Sequence, residues 1–134
     1  MKNEKKIIVI EDEKDINELI AYSLKKEGFA VSQVFDGIEA QRILENECFG
    51  IVILDIMLPG IDGFQICKAI KDNPAAFRTF IIIVSAKDHP DDKLYAHILG
   101  AHYYLTKPFS TKTLIDIVKE ISTILEKEFT VSIP

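Results

Sequence analysis

The stretch Ile51-Val52-Ile53-Leu54-Asp55 is the clearest guide to the fold, because it is a row of four aliphatic residues that ends in a single acid. A short run that is apolar at every position is typical of a strand covered on both faces of a sheet. Residues 7–10 form a second run of this kind, which also ends in acids, and residues 80–84 form a third. These three runs predict the buried strands of a parallel sheet.

Two further β-branched or aromatic runs, at residues 29–34 and 103–105, complete a set of five predicted strands. Apolar residues at helical spacing lie between and after the runs and predict five helices, three of them over residues 15–26, 37–45 and 111–125. Gly28 and Gly100 are helix stops, and Ser110 or Thr111 is placed to cap the fifth helix. Strands that alternate with helices predict an α/β fold with a five-stranded, doubly wound parallel sheet, strand order 2-1-3-4-5, and helices on both faces.

Composition limits the classes of function. The chain has 134 residues, 48% of them hydrophobic, which suits one domain, predicted over residues 1–126, with a tail at 127–134. Its net charge of −5 argues against direct nucleic acid binding. No apolar stretch approaches the roughly 20 residues of a membrane span, so no membrane insertion is expected. Cys48 and Cys67 form no CxxC motif, and we predict a cytoplasmic protein.

Acidic residues follow two of the predicted strands. Glu11-Asp12-Glu13 ends the first strand and Asp55 ends the third. In a parallel sheet these ends meet at one edge, where several carboxylates repel one another unless a cation neutralises them. Oxygen ligands at a solvated edge suit Mg²⁺. The competing interpretation is that the acidic triplet only caps the first helix, because helix N-termini favour acids.

Strands four and five contribute a different kind of group to the same edge. Ser85 follows the fourth strand and Lys107 follows the fifth. A hydroxyl and an ammonium together can bind the oxygens of a phosphoryl group beside Asp55. Each residue alone is ordinary at a strand end, and the prediction depends on four strand ends supplying complementary groups.

Four stretches resemble the receiver domain of two-component response regulators, and the resemblance covers about residues 5–126. It implies the flavodoxin-like, chemotaxis-regulator-like form of this fold. The matching stretches are Ile7-Ile8-Val9-Ile10-Glu11-Asp12-Glu13, Ile51-Val52-Ile53-Leu54-Asp55-Ile56-Met57-Leu58-Pro59-Gly60-Ile61-Asp62-Gly63, Ile83-Val84-Ser85-Ala86-Lys87-Asp88 and Tyr104-Leu105-Thr106-Lys107-Pro108-Phe109.

The resemblance implies specific roles for these residues. Asp55 is the expected phosphoacceptor, which takes its phosphoryl group from a phosphohistidine on a sensor histidine kinase or a histidine phosphotransfer protein. The expected Mg²⁺ ligands are Glu11, Asp12, Asp55 and the backbone carbonyl of Met57. The expected phosphoryl-binding and switch residues are Ser85, Lys107 and Tyr104. A cis Lys107–Pro108 bond is implied as well.

The resemblance further implies a signalling module, not an enzyme with a separate substrate, whose downstream partner binds a face made by helix four, strand five and helix five. Helix four has few large apolar residues, and Leu94, Ile98 and Leu99 are its expected anchors, so it is predicted to be the least stable helix. The sequence departs from the family pattern at His102 and Tyr103, where acids are common.

Three other functions compete with phosphoryl acceptance. One is a degenerate receiver that binds partners without phosphorylation, which the complete set of acceptor, acids, hydroxyl and lysine argues against. Another is an aspartyl-phosphate phosphatase or transferase, but Met57 occupies the place where a second acid is needed. The third is nucleotide binding, for which no glycine-rich phosphate loop occurs.

Overall fold

The computed structural model describes residues 6–127. Its strands and helices are β1 Lys6–Ile10, α1 Lys14–Lys26, β2 Ala30–Val34, α2 Gly37–Asn46, β3 Ile51–Leu54, α3 Gly63–Asp72, β4 Phe80–Ser85, α4 Pro90–Ile98, β5 Tyr103–Thr106 and α5 Thr111–Glu126. The predicted bounds agree with these to within one residue. A short 3-10 helix, Pro74–Ala76, was not predicted. Of the predicted tail, all but Lys127 lies outside the described residues. Within residues 6–127, no helix has both the length and the apolar character needed to cross a membrane.

All five strands are parallel, and their order is β2-β1-β3-β4-β5, as predicted. Ile10 pairs with Leu54, so Glu11 and Asp55 follow at the same level of the sheet. On the other side, Ser85 pairs with Thr106. The carboxyl ends of four strands therefore meet at one edge, where ligands bind in sheets of this class.

Alternate residues of the central strands enter two separate cores, which confirms that these strands are covered on both faces. Ile8 and Ile10 belong to the core under α2, α3 and α4, whereas Ile7 and Val9 belong to the core under α1 and α5. All four side chains have no solvent exposure. Because both faces are filled by apolar side chains, polar chemistry is confined to the strand ends.

The cap of α5 is Ser110, whose Oγ accepts a hydrogen bond from the Thr113 peptide N–H at 3.3 Å. Of the two candidates that the sequence left open, Ser110 is therefore the capping residue. Thr111 is the first residue of the helix itself.

Helix α4 differs from the sequence prediction in its anchors. Leu94 is 58% exposed and Ile98 is 55% exposed, so two of the three predicted anchors are wrong. Ala96 is the buried residue of this helix, and Leu99 packs partly against the core. Each helical residue turns the chain by about 100°, so side chains two positions from Ala96 point away from the core. A small residue, and not the large ones, faces the sheet.

Candidate functional site

Asp55 lies directly after β3, and its backbone N–H continues the sheet by donating to the Ile10 carbonyl at 3.0 Å. Only 4% of the residue is exposed. Its Oδ1 accepts a hydrogen bond from the Met57 peptide N–H at 2.8 Å, and its Oδ2 lies 2.9 Å from Lys107 Nζ. The carboxylate is thus oriented by one neutral and one charged donor at the edge of the sheet.

A glycine allows α3 to start against the backbone of Asp55. A Cβ atom on Gly63 would lie 2.4 Å from Ile56 Cα and 2.9 Å from the Asp55 carbonyl oxygen. Neither backbone atom can move without displacing the acid. Gly63 also donates its N–H to the Ile56 carbonyl at 3.2 Å, which closes the loop between β3 and α3 below the site.

Lys107 is the centre of the charged groups at this edge. Its Nζ lies 2.7 Å from Glu11 Oε1, 2.9 Å from Asp55 Oδ2 and 3.3 Å from Glu13 Oε1, and its side chain is 11% exposed. The Lys107 N–H donates to the Ser85 carbonyl at 2.8 Å, which fixes the end of β5 beside β4. The Lys107–Pro108 bond is cis, as the resemblance implies. Burial disfavours the ammonium, but hydrogen bonds and charge from Glu11 and Asp55 outweigh this and raise the pKa of Lys107.

Glu11 is the most deeply buried acid of the triplet, at 2% exposure. Burial is the main reason that the pKa of Glu11 rises from 4.5 to about 7, and the charge of Asp55 acts in the same direction. The hydrogen bonds from Lys107 and from the Glu13 N–H lower the pKa and offset part of this effect. An added cation at this place would favour the ionised form of Glu11.

Carboxylate oxygens of Glu11, Asp12 and Asp55 lie within 4.8 Å of one another, the one such group of metal-ligand type within residues 6–127. The donors are all carboxylate oxygens, and Asp12 is exposed, so waters can complete a coordination shell. This chemistry fits Mg²⁺, which takes few protein carboxylates and keeps several waters. Three of the predicted metal ligands are therefore together. The Met57 N–H bonds to Asp55, while the role of its carbonyl stays a prediction.

The acidic triplet does not cap α1 in the way the competing interpretation requires. Glu13 occupies the N-cap position, but its side chain accepts no capping hydrogen bond. It lies beside Lys107 instead. Glu13 was not among the predicted site residues, although its place as the third acid of the triplet was a usable signal.

Ser85 and Tyr104 both contact the backbone of Lys87, which lies in the loop between β4 and α4. Ser85, with no solvent exposure, accepts the Lys87 N–H at 3.3 Å through its Oγ. The Tyr104 hydroxyl donates to the Lys87 carbonyl at 2.6 Å. Burial, with smaller contributions from nearby aspartates, raises the pKa of Tyr104. The structure therefore joins the two predicted switch residues through one peptide segment.

Residues 7–119 match the family model of the response regulator receiver domain. The chain belongs to this family. Similar solved structures include the BeF3-activated DrrB receiver domain of Thermotoga maritima (30% identity, 88% of this chain and 97% of that chain covered, TM-score 0.80). The receiver domain of Francisella response regulator 1452 is 30% identical, with 90% and 98% covered and a TM-score of 0.82. The chemotaxis response regulator CheY4 of Vibrio cholerae is 26% identical, with 87% and 97% covered and a TM-score of 0.80.

Replacing Lys107 by Met should destabilise the metal-free receiver domain, and more at pH 8 than at pH 5.5. Without the ammonium, Glu11 and Asp55 are buried charges with no partner, and removing one member of a buried ion pair costs about 3–5 kcal/mol. Burial raises the folded-state pKa of Glu11 from 4.5 to about 7 while Lys107 is present, so ionisation of Glu11 costs stability that grows between about pH 4.5 and pH 7. Loss of Lys107 removes two effects that lower this pKa, so in the variant the cost keeps growing above pH 7, and the difference from the wild type is larger at pH 8 than at pH 5.5. Urea unfolding in EDTA at both pH values measures the difference.

The matched control is Lys119→Met, which removes the same side chain from an exposed pair with Glu27. It should change stability little at either pH. An equal loss for Lys107→Met at both pH values, or a loss no larger than that of the control, would contradict the electrostatic role of Lys107.

Proposed function

We propose that this receiver domain accepts a phosphoryl group on Asp55 from a phosphohistidine donor, with Mg²⁺, and changes its partner-binding surface in response. The observation that carries the proposal is the surroundings of Asp55. Its carboxylate is nearly buried, contacts the Lys107 ammonium at 2.9 Å, and lies within 4.8 Å of the carboxylate oxygens of Glu11 and Asp12. The receiver unit is proposed to comprise residues 1–126, and its two free cysteines suit a cytoplasmic location.

The chemistry is a displacement at phosphorus. An Asp55 carboxylate oxygen attacks the phosphorus atom, the bond between phosphorus and the imidazole nitrogen breaks, and its electron pair stays on that nitrogen, which then takes a proton. The product on Asp55 is an acyl phosphate that water can hydrolyse. Mg²⁺, held by Glu11, Asp12, Asp55 and the Met57 carbonyl, would supply positive charge between the reacting anions. No separate substrate is turned over.

Lys107 and Ser85 are placed to bind the phosphoryl oxygens of the product. The Lys107 ammonium already lies between Glu11 and Asp55, and it can pair with a phosphoryl oxygen when a cation takes its place on the carboxylates. The Ser85 hydroxyl, whose oxygen accepts the Lys87 N–H, can donate its own hydrogen to a second oxygen. These new contacts exist only in the phosphorylated state, so they can shift the conformational equilibrium by as much as their free energy.

A phosphorylation-independent binding module is the second candidate. Exposed apolar side chains on α4, namely Leu94, Tyr95 and Ile98, give it a surface on which a partner can bind in any state. The acceptor, acids, hydroxyl and lysine are all present at one edge of the sheet, and the lysine contacts Glu11 and Asp55, which favours the first function.

Incubation with acetyl phosphate and Mg²⁺ should add one phosphoryl mass to the protein, and Asp55→Asn should abolish the addition because it removes the nucleophile. Intact-protein mass spectrometry measures this. The control is Asp88→Asn, which removes an exposed acid near the same edge and should label normally. Full labelling of Asp55→Asn would exclude Asp55 as acceptor, and absence of labelling in the wild type would favour the binding module.

Replacing Asp12 by Ala should weaken Mg²⁺ binding by at least about tenfold, because it removes a carboxylate from a small set of hard oxygen ligands. The dissociation constant follows from Mg²⁺-induced shifts of backbone amide signals in NMR spectra. Asp15→Ala is the control, since it removes an exposed acid of α1 that is not in the oxygen cluster. Equal affinities for both variants would mean that Asp12 is not a ligand.

Phosphorylation should change hydrogen exchange mainly in residues 87–109, which include α4, β5 and the Lys107 segment. The reason is that Ser85 and Tyr104 both bond the Lys87 backbone, and α4 buries only Ala96 among its own residues. Residues 15–26 and 37–45 should change little. Tyr104→Ala should leave Asp55 labelling intact while reducing the exchange response of α4. A response concentrated in α2 would place the output surface elsewhere than α4, β5 and α5.

A further inference from the structure

Asn17, on the first turn of α1, has a buried side-chain amide that bonds to three residues in two other segments of the chain. The residue has no solvent exposure. Its Nδ2 donates to the Glu11 carbonyl at 3.0 Å and to the Val34 carbonyl at 2.9 Å, and its Oδ1 accepts from Gln33 Nε2 at 3.0 Å. One side chain thus connects α1 to the end of β1 and to the end of β2.

The start of α1 differs from the other α-helices of the described chain. Helices α2, α3, α4 and α5 each begin with a side chain that accepts a backbone N–H of the first turn, supplied by Asp36, Asp62, His89 and Ser110. The N-cap residue of α1, Glu13, makes no such bond. A capping side chain normally fixes the turn that leads into a helix. In α1 this task falls on another group.

The bonds of Asn17 fix the backbone of Glu11 on the carbonyl side, and the Glu11 N–H is fixed separately by the Val34 carbonyl at 3.1 Å. With both backbone groups of Glu11 held, its side chain is aimed at Lys107, and its Oε2 accepts the Glu13 N–H at 3.1 Å. Asp12 lies between Glu11 and Glu13 in the chain, and those two residues are joined by the bond from the Glu13 N–H to Glu11 Oε2. The acids of the turn remain available to the site because none of them is used as a helix cap.

We propose that Asn17 is a positioning residue for the divalent cation site: its amide holds residues 11–13 in the shape that directs the carboxylates of Glu11 and Asp12 towards Asp55. This inference rests on the proposed function, because it concerns the same cation site. Residues that orient metal ligands through hydrogen bonds typically contribute about 10–100-fold to metal affinity. Asn17 does so without touching the cation.

The test compares three variants in metal-free protein titrated with Mg²⁺ and followed by amide NMR shifts. Asn17→Leu removes both donors and keeps a side chain of similar size. Gln33→Ala removes only the bond to Asn17 Oδ1 and leaves both Asn17 donors in place. Ile20→Ala is the stability control. Ile20 is a buried α1 residue that packs in the core under α1 and α5, and it makes no hydrogen bond to residues 11–13.

Asn17→Leu should weaken Mg²⁺ binding by about 10–100-fold, while Gln33→Ala should weaken it by less than about threefold and Ile20→Ala should leave it unchanged despite a lower urea midpoint. A second readout needs no metal: exchange of the Glu11 amide hydrogen in the metal-free protein should accelerate in Asn17→Leu relative to Ile20→Ala. If Asn17→Leu does not fold, the same measurements are made on Asn17→Ala, because alanine has the highest helix propensity.

Wild-type affinity in a folded Asn17 variant would overturn the positioning role, and so would an equal loss of affinity in Ile20→Ala, which would trace the effect to general destabilisation. These outcomes leave the proposed function intact, because the wild type still binds Mg²⁺ and is labelled on Asp55. If the wild type neither binds Mg²⁺ nor is labelled, the proposed function itself is wrong, and the positioning of a cation site is overturned with it.

Discussion

The contact of the Lys107 ammonium with the carboxylates of Glu11, Glu13 and Asp55 allows acids from two neighbouring strands to lie together at one edge of the sheet. A parallel sheet with β1 next to β3 places their terminal acids side by side, and two of these acids are almost fully buried. Like charges in such surroundings repel one another and oppose folding. The cation that relieves this repulsion comes from the end of β5, two strands away from β3. The acids of β1 and β3 can therefore lie together only because β5 brings Lys107 to the same edge of the sheet.

The same contact would give the site a way to respond to the phosphoryl group of the proposed function. An ammonium shared among three carboxylates has alternative partners, and a divalent cation or a new phosphoryl oxygen changes which of them it takes. Ser85 and Tyr104 are linked to this edge through the backbone of Lys87. Helix α4 follows that segment and buries the small side chain of Ala96 against the core. The ring of Tyr95 packs edge-on against the ring of Phe64, with 4.7 Å between the two ring centroids. A helix with so few buried contacts is where a local change of hydrogen bonds can alter the surface.

The start of α1 shows a division of tasks between neighbouring residues. Acids before a helix ordinarily stabilise its N-terminus by accepting backbone N–H groups. Here the acids serve the sheet edge instead, and a buried amide one turn into the helix, that of Asn17, holds the turn by bonding to Glu11 and Val34. Function and local helix stability compete for the same carboxylates, and the fold satisfies both demands by assigning the structural task to a neutral residue.

The strands, the helices and their order follow from the sequence, because runs such as Ile51-Val52-Ile53-Leu54 are typical of strands covered on both faces, and such strands alternating with helices favour a doubly wound parallel sheet. The sequence also located Asp55, Glu11, Asp12 and Lys107, since side chains that follow parallel strands must meet at one edge. That Glu13 joins this group, and that Leu94 and Ile98 are exposed, becomes visible in the folded structure alone. The contacts of Asn17 were likewise outside the reach of the sequence. Each of these depends on the rotation of a helix about its axis or on the path of a turn, which packing against other segments sets and which no local pattern encodes.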